Sequence, residues 1–364
     1  MLKYIIRRLI QSIPTLLGIT ILSYLLMSLA PGGPARALTF GNQRVPPQEV
    51  ARLEARLGLS DPFIIQYLRW LTGDDWMRWD SDGDGVSDGS FLIPLDADSD
   101  GVPEPPGTRR GIIRGDFGQS FFERRDVMRI IGERVPATLE LGAASLLVGL
   151  IIGLPIGIVA AVRKGGAFDN FTRIMAVVFN ALPVFWLGLI LILVFGVLLK
   201  NATGGPFLPM GGRCPTTLTG CPPLHQRLHF LILPTFVLAT GGIAGYSRYM
   251  RASMLDVINQ DYIRTARSKG LTERNVWFKH GARNALIPLA TFLGPSITGL
   301  LSGAAITETI FSWPGLGRTA VSAVTQQDYP VVMAVVIIAA IATVIGYILS
   351  DILYALIDPR IRFS

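Results

Sequence analysis

Two short acidic runs in this chain have residue types and spacing that could hold an ion. Asp80, Asp82, Asp84, Gly85 and Asp88 read D-S-D-G-D-G-V-S-D, and 16 residues on, Asp96, Asp98, Asp100, Gly101 and Glu104 read D-A-D-S-D-G-V-P-E. Carboxylates at alternate positions followed by a turn glycine let one short loop wrap several hard oxygens around an ion, which is the coordination Ca²⁺ requires. Repetition of the pattern argues against coincidence. The twelfth position, where a bidentate Glu completes the usual loop, holds Phe91 in the first run and Gly107 in the second. Weak sites suited to extracellular calcium are therefore expected. The competing reading is an acidic, solvated, disordered loop.

Cys214 and Cys221 are the only cysteines. On an oxidising face such a close pair closes a small disulfide loop. His225 and His229 follow at helical spacing, which leaves a Cys-Cys-His-His metal site as the weaker alternative. Glu140 and Glu308 stand near the ends of apolar runs, where ionisable groups tend to face a cavity or a partner. Both are candidates for lining a translocation path, although a first-turn carboxylate favoured by the helix dipole also explains Glu140. Two catalytic motifs are missing. The sequence has no Gly-Lys dipeptide for a phosphate-cradling loop and no His-Glu-x-x-His.

The elements that must position these residues are membrane spans. Half of the 364 residues are apolar and 16% are charged, against roughly a quarter charged in soluble domains. The net charge of +7 is scattered over loops separated by long apolar runs, which argues for positive inside loops and against a nucleic-acid patch. Apolar runs at 9–30, 138–162, 174–199, 231–247, 285–306 and 331–356 predict six spans, each long enough to cross a hydrocarbon core of about 30 Å. The first, preceded by Lys3, Arg7 and Arg8, reads as an uncleaved signal anchor with its N-terminus inside. Inside segments then carry Arg163, Lys164 and Arg173, the basic stretch 261–289, and Arg360 and Arg362. These agree with the positive-inside rule and place both termini in the cytoplasm.

That basic stretch, DYIRTARSKGLTERNVWFKHGARNALIPL, places Gly270 between two helix-like runs and Glu273 in the first turn of the second. It predicts a helix-turn-helix finger outside the bilayer. Here the sequence resembles the permease subunits of bacterial ATP-binding-cassette importers, closely the oligopeptide and dipeptide permease family. Arg264, Thr265 and Ala266 stand where the generic importer motif has Glu-Ala-Ala, and Gly270 keeps its glycine. The Glu of the generic motif is thus lost, but Arg-Thr-Ala-Arg-x-Lys-Gly-Leu is the peptide-permease form. The resemblance implies that Arg264, Thr265, Ala266, Arg267, Lys269, Gly270 and Leu271 couple the membrane domain to a separate ATPase. It also implies that the stretch around Glu308 and Trp313 turns the chain, helps close an outer gate and carries an interfacial helix over 318–327.

The expected fold is an all-α integral membrane protein with six transmembrane helices, in the type I importer permease fold. Residues 1–30 form the inside N-terminus and first span, and 31–136 an extracytoplasmic region with an acidic insertion at 73–109. Residues 137–358 form the five-span core and 359–364 the tail. By the resemblance, partners are a second similar permease, two ATPase subunits that alone handle ATP, an external binding protein and the lipid bilayer. Peptides are the implied cargo, with nickel chelates, glutathione or oligosaccharides as alternatives among relatives. A secondary transporter or channel is the rival of another class. It predicts inverted repeats and charges deep within spans, and neither is clear here.

Overall fold

The computed structural model describes residues 2–29, 62–73, 78–79, 89–90, 110–201, 204–215, 221–289, 296, 299 and 304–357. The eight candidate calcium ligands, Asp80, Asp82, Asp84, Asp88, Asp96, Asp98, Asp100 and Glu104, lie outside the described residues. The chain divides into two compact units.

The smaller unit comprises Ile13–Glu133 and Ala320–Ile338. Its α1 (Leu2–Ser28) meets the short α2 (Phe63–Thr72). Phe63, Tyr67 and Leu71 recur every four residues, so α2 gathers its apolar side chains on one stripe. That stripe closes around Tyr24, whose ring lies 5.7 Å from Phe63, 5.8 Å from Tyr67 and 5.1 Å from Trp70. The Thr20 and Tyr67 hydroxyls hydrogen-bond at 2.9 Å. Beyond α2, β1 (Arg78–Trp79) pairs antiparallel with β2 (Gly89–Ser90), so the chain ends flanking residues 80–88 are brought together. Elsewhere in this unit Asp328 accepts from the Ser120 hydroxyl and the Phe121 N–H.

The larger unit comprises Met1–Ser12, Arg134–Thr319 and Ala339–Ser364. Two long helices, α3 (Val127–Val162) and α6 (Leu224–Val257), cross in it at small residues. A Cβ at Gly153 would stand 3.0 Å from the Ile243 carbonyl oxygen, and one at Gly157 only 2.6 Å from that of Ser247. Close backbone approach of this kind supplies packing where lipid gives helices no hydrophobic drive to associate. From the crossing, Ile158 and Ala161 join Met250, Met254, Ile263, Ala266, Val276 and Trp277 in one buried cluster. The basic finger is therefore rooted in the same core as the long helices.

Helix α3 begins eleven residues before the expected span, at Val127. Asp126 accepts the Arg129 N–H at 2.9 Å in the manner of an N-cap, and Arg129 pairs with Glu133 one turn on at 3.8 Å. Pro136 is absorbed inside the helix, which membrane helices tolerate better than soluble ones. The expected continuous span over 174–199 is instead two pieces. α4 (Ala167–Ala181) and α5 (Val184–Leu191), prolonged by a π-helical Ile192–Leu198, meet at a bend of 98°. Leu182 has ψ 125° because a residue before proline is pushed out of the helical region, and Pro183 follows it.

The chain continues through α7 (Asp261–Ser268), α8 (Ala305–Ile310), α9 (Leu316–Thr325) and α10 (Tyr329–Ile357). Helix α9 lies where the interfacial helix was expected. Among the described residues α1, α3, α6 and α10 are long and apolar enough to cross a membrane, and the bent pair makes a fifth span if counted as one. The sixth expected span, 285–306, falls largely outside the described residues.

Candidate functional site

Glu140 lies fourteen residues into α3, not in its first turn, so the helix dipole does not account for it. Its carboxylate is buried between two arginines instead. Arg213 donates from Nε at 3.0 Å and Nη2 at 2.6 Å to Oε2, and Arg227, at the start of α6, donates from Nη1 to Oε1 at 2.5 Å. The Arg227 Nε also donates to the Pro222 carbonyl at 3.0 Å. Cys214 and Cys221 form a disulfide with Cα atoms 5.4 Å apart, within the ordinary range. One end of that covalent loop thus adjoins Arg213, which binds Glu140, and the other adjoins Pro222, whose carbonyl holds Arg227. The cysteines leave no thiolates for the Cys-Cys-His-His alternative, and no three His, Cys, Asp or Glu gather as a metal site among the described residues.

Glu308, in α8, is 1% exposed and has very different company. The Thr138 hydroxyl donates to Oε1 at 3.0 Å and the Arg318 backbone N–H to Oε2 at 2.9 Å. Thr138 Oγ1 in turn accepts the Leu316 N–H at 2.7 Å. Two orphan N–H groups in the first turn of α9 are thereby satisfied by side chains from α3 and α8. Trp313, fully buried, donates from Nε1 to the Ala137 carbonyl at 2.8 Å and pins the same turn to α3. Beside Glu308 is a cavity of about 210 Å³ between α3 and α6, lined among others by Thr138, Ser145, Leu238, Tyr246 and Ser296. The Tyr246 hydroxyl donates to Ser296 Oγ at 2.7 Å across part of its wall.

The finger folds as two helical arms around Gly270. Helix α7 ends at Ser268, Gly270 has φ 73°, which a glycine adopts without strain, and the second arm starts at Glu273. Ile263 and Ala266 turn inward, whereas Arg264, Thr265, Arg267, Lys269 and Leu271 are exposed. Arg267 lies 4.6 Å over the Trp277 ring and 3.2 Å from Glu273, holding the arms together. The second arm widens into a π-helical turn, Val276–Gly281, a feature frequent at functional sites. A buried bidentate pair adjoins this region in sequence: Asp169 of α4 accepts Arg251 Nε at 2.6 Å and Nη2 at 2.7 Å.

Glu308 and Trp313, expected near one gate, do share one turn, while Glu140 is bound to a separate arginine pair. Sequence reasoning missed Arg213, Arg227, Thr138 and the Asp169–Arg251 pair. An arginine opening a long apolar helix is a detectable signal for Arg227; no comparable signal marks Thr138.

Two family models match the chain. Residues 153–363 match "Binding-protein-dependent transport system inner membrane component", and residues 1–79 match the N-terminal part of such membrane components. The chain belongs to this permease family. Oligopeptide transport system permease protein AppB of Bacillus subtilis (strain 168) is 39% identical to this permease, with 100% of each chain covered. Dipeptide transport system permease protein DppB of Escherichia coli (strain K12) is 35% identical, covering 100% of the permease and 99% of that protein. Among solved structures, the inward-facing MetNI methionine ABC transporter aligns with a TM-score of 0.46 at 18% identity, over 64% of the permease and 97% of that chain. The permease is a multi-pass membrane protein, and ATP hydrolysis is the task of other subunits, not of this chain.

Proposed function

We propose that this permease forms part of the translocation path of an ATP-driven peptide importer. It pairs with a second similar permease, two ATPase subunits and an external substrate-binding protein. The observation that carries this reading is the finger, whose basic face of Arg264, Arg267 and Lys269 is exposed while Ile263, Ala266, Val276 and Trp277 root it in the core of α3 and α6. A surface so anchored passes a push from a docked ATPase directly into the long helices, and that motion opens the path to alternate sides. Peptide cargo is supported by the names of the relatives above. The charge distribution supports six spans with both termini in the cytoplasm, which puts the disulfide and the acidic insertion on the outer face.

The acidic insertion is proposed to bind Ca²⁺ weakly. The ladder that brings Trp79 opposite Gly89 supports this, since it brings together the two chain ends that flank Asp80, Asp82, Asp84 and Asp88. Titration of the purified protein with CaCl₂ and with MgCl₂ tests it: calcium-selective heat that disappears on deletion of 73–109 is expected, and equal response to both ions contradicts it.

For the importer itself, the tagged chain is purified in mild detergent with and without Arg264→Glu, Arg267→Glu and Gly270→Pro. Co-purification of an ATPase pair and a second permease with the wild type, with the ATPases lost from the variant, is the expected result. A chain that emerges alone in both cases would favour the secondary-transporter reading.

A further inference from the structure

We propose that the cavity beside Glu308 is a cation subsite that takes a primary ammonium group, the free N-terminal amine of a peptide in transit. This rests on the peptide-importer reading and names the chemistry of one point on its path. The argument begins with charge. Glu140, largely buried, and Asp169, fully buried, are carboxylates of the same unit, and each is neutralised by guanidinium groups. Glu308 is as deeply buried as Asp169, yet its two partners, the Thr138 hydroxyl and the Arg318 backbone N–H, are neutral. The nearby Arg318 guanidinium donates from Nη1 to the Ser312 carbonyl at 2.8 Å. The N-terminus of α9 contributes roughly half a positive charge, so about half of the carboxylate charge stays uncompensated.

Hydrogen-bond capacity points the same way. A carboxylate offers about four acceptor sites, of which Thr138 and Arg318 fill two. Glu308 is itself part of the lining of a cavity of about 210 Å³, together with the hydroxyl-bearing Ser145, Tyr246 and Ser296. An ammonium has three donors and no acceptor, which matches a wall of one anion and several hydroxyl oxygens. The space exceeds many-fold the roughly 10–15 Å³ that a single water needs, so an aminoacyl-sized group fits. The carboxylate is also held in place. A Cβ at Gly315 would collide with the Glu308 carboxyl group, so the loop backbone wraps it closely and its position is fixed before any ligand arrives.

The whole transporter, with its binding protein, is reconstituted in liposomes, and initial uptake of trialanine and of N-acetyl-trialanine is measured for wild type and E308Q. The same binding protein serves both, so its own selectivity cancels in the ratio. The expected result is a fall in trialanine uptake of at least about tenfold, with N-acetyl-trialanine uptake changed less than about twofold, since a desolvated ammonium–carboxylate pair is involved. An equal fall for both peptides, or no fall for either, overturns the subsite and leaves Glu308 as a helix cap. Saturation-transfer NMR on the wild-type complex without binding protein covers two other outcomes, failure of E308Q to assemble and absence of peptide uptake by the wild type. In that measurement n-butylammonium should receive signal that n-butanol does not displace, and equal competition by n-butanol overturns the proposal. Selective n-butylammonium binding in a wild type that takes up no peptide would retain the cation subsite and reject the peptide cargo.

Discussion

Glu140 and Glu308 are two buried glutamates of one compact unit, and the contrast between them separates a strut from a site. Glu140 has more positive charge around it than it needs: two guanidiniums fill its oxygens, and a disulfide loop fastens the chain that carries one of them. No negative charge is left to offer a ligand. Glu308 has too little: neutral donors hold it at the head of α9, and it lines an open space. Asp169, ion-paired to Arg251, is as deeply buried as Glu308, so burial alone does not tell a strut from a site; the charge balance of the neighbours does.

The contrast can be broken at its strongest point first. Glu140→Ala leaves two arginines buried without a counter-charge and is expected to destabilise the protein by about 3–5 kcal/mol, read as a large fall in the unfolding midpoint. Replacing Glu140 and Arg227 together by Leu recovers part of that loss, because a buried pair exchanged for apolar groups is often neutral. Cys214→Ser with Cys221→Ser releases the loop and costs about 2–3 kcal/mol by the same measurement, and a reductant should reproduce the shift in the wild type but not in the variant. Glu308→Gln strands no cation and is expected to lower stability by only about 1 kcal/mol, for one weakened hydrogen bond. A fall as deep as that of Glu140→Ala would show that Glu308 too is chiefly a strut. An equally small effect on stability belongs to the finger. Gly270→Ala forces a side chain into a left-handed backbone position and costs about 1 kcal/mol or slightly more, while ATPase-coupled uptake falls much further because the arms no longer hold their angle.

Long apolar runs made the spans legible, since a bilayer demands about twenty such residues whatever the tertiary context. The finger was legible for a related reason: Gly270 and the alternation of basic and apolar residues are local signals. What the sequence obscured was non-local or marginal. Glu140 meets Arg213 and Arg227 across 73 and 87 residues of chain, and nothing at Glu140 itself announces either. The early start of α3 was hidden by Arg129, Glu133 and Arg134, which look like loop until Asp126 is seen capping them. Pro183 was visible, but only the structure distinguishes a tolerated proline, like Pro136, from one that turns the chain through 98°.

The most direct measurement is trialanine uptake by proteoliposomes containing the four-subunit transporter and its binding protein, with ATP supplied to the ATPase side. The account predicts accumulation above the external concentration that requires ATP hydrolysis and disappears when Arg264 and Arg267 are both changed to Glu. Uptake that proceeds equally without ATP, or that survives reversal of the finger's charge, would contradict it.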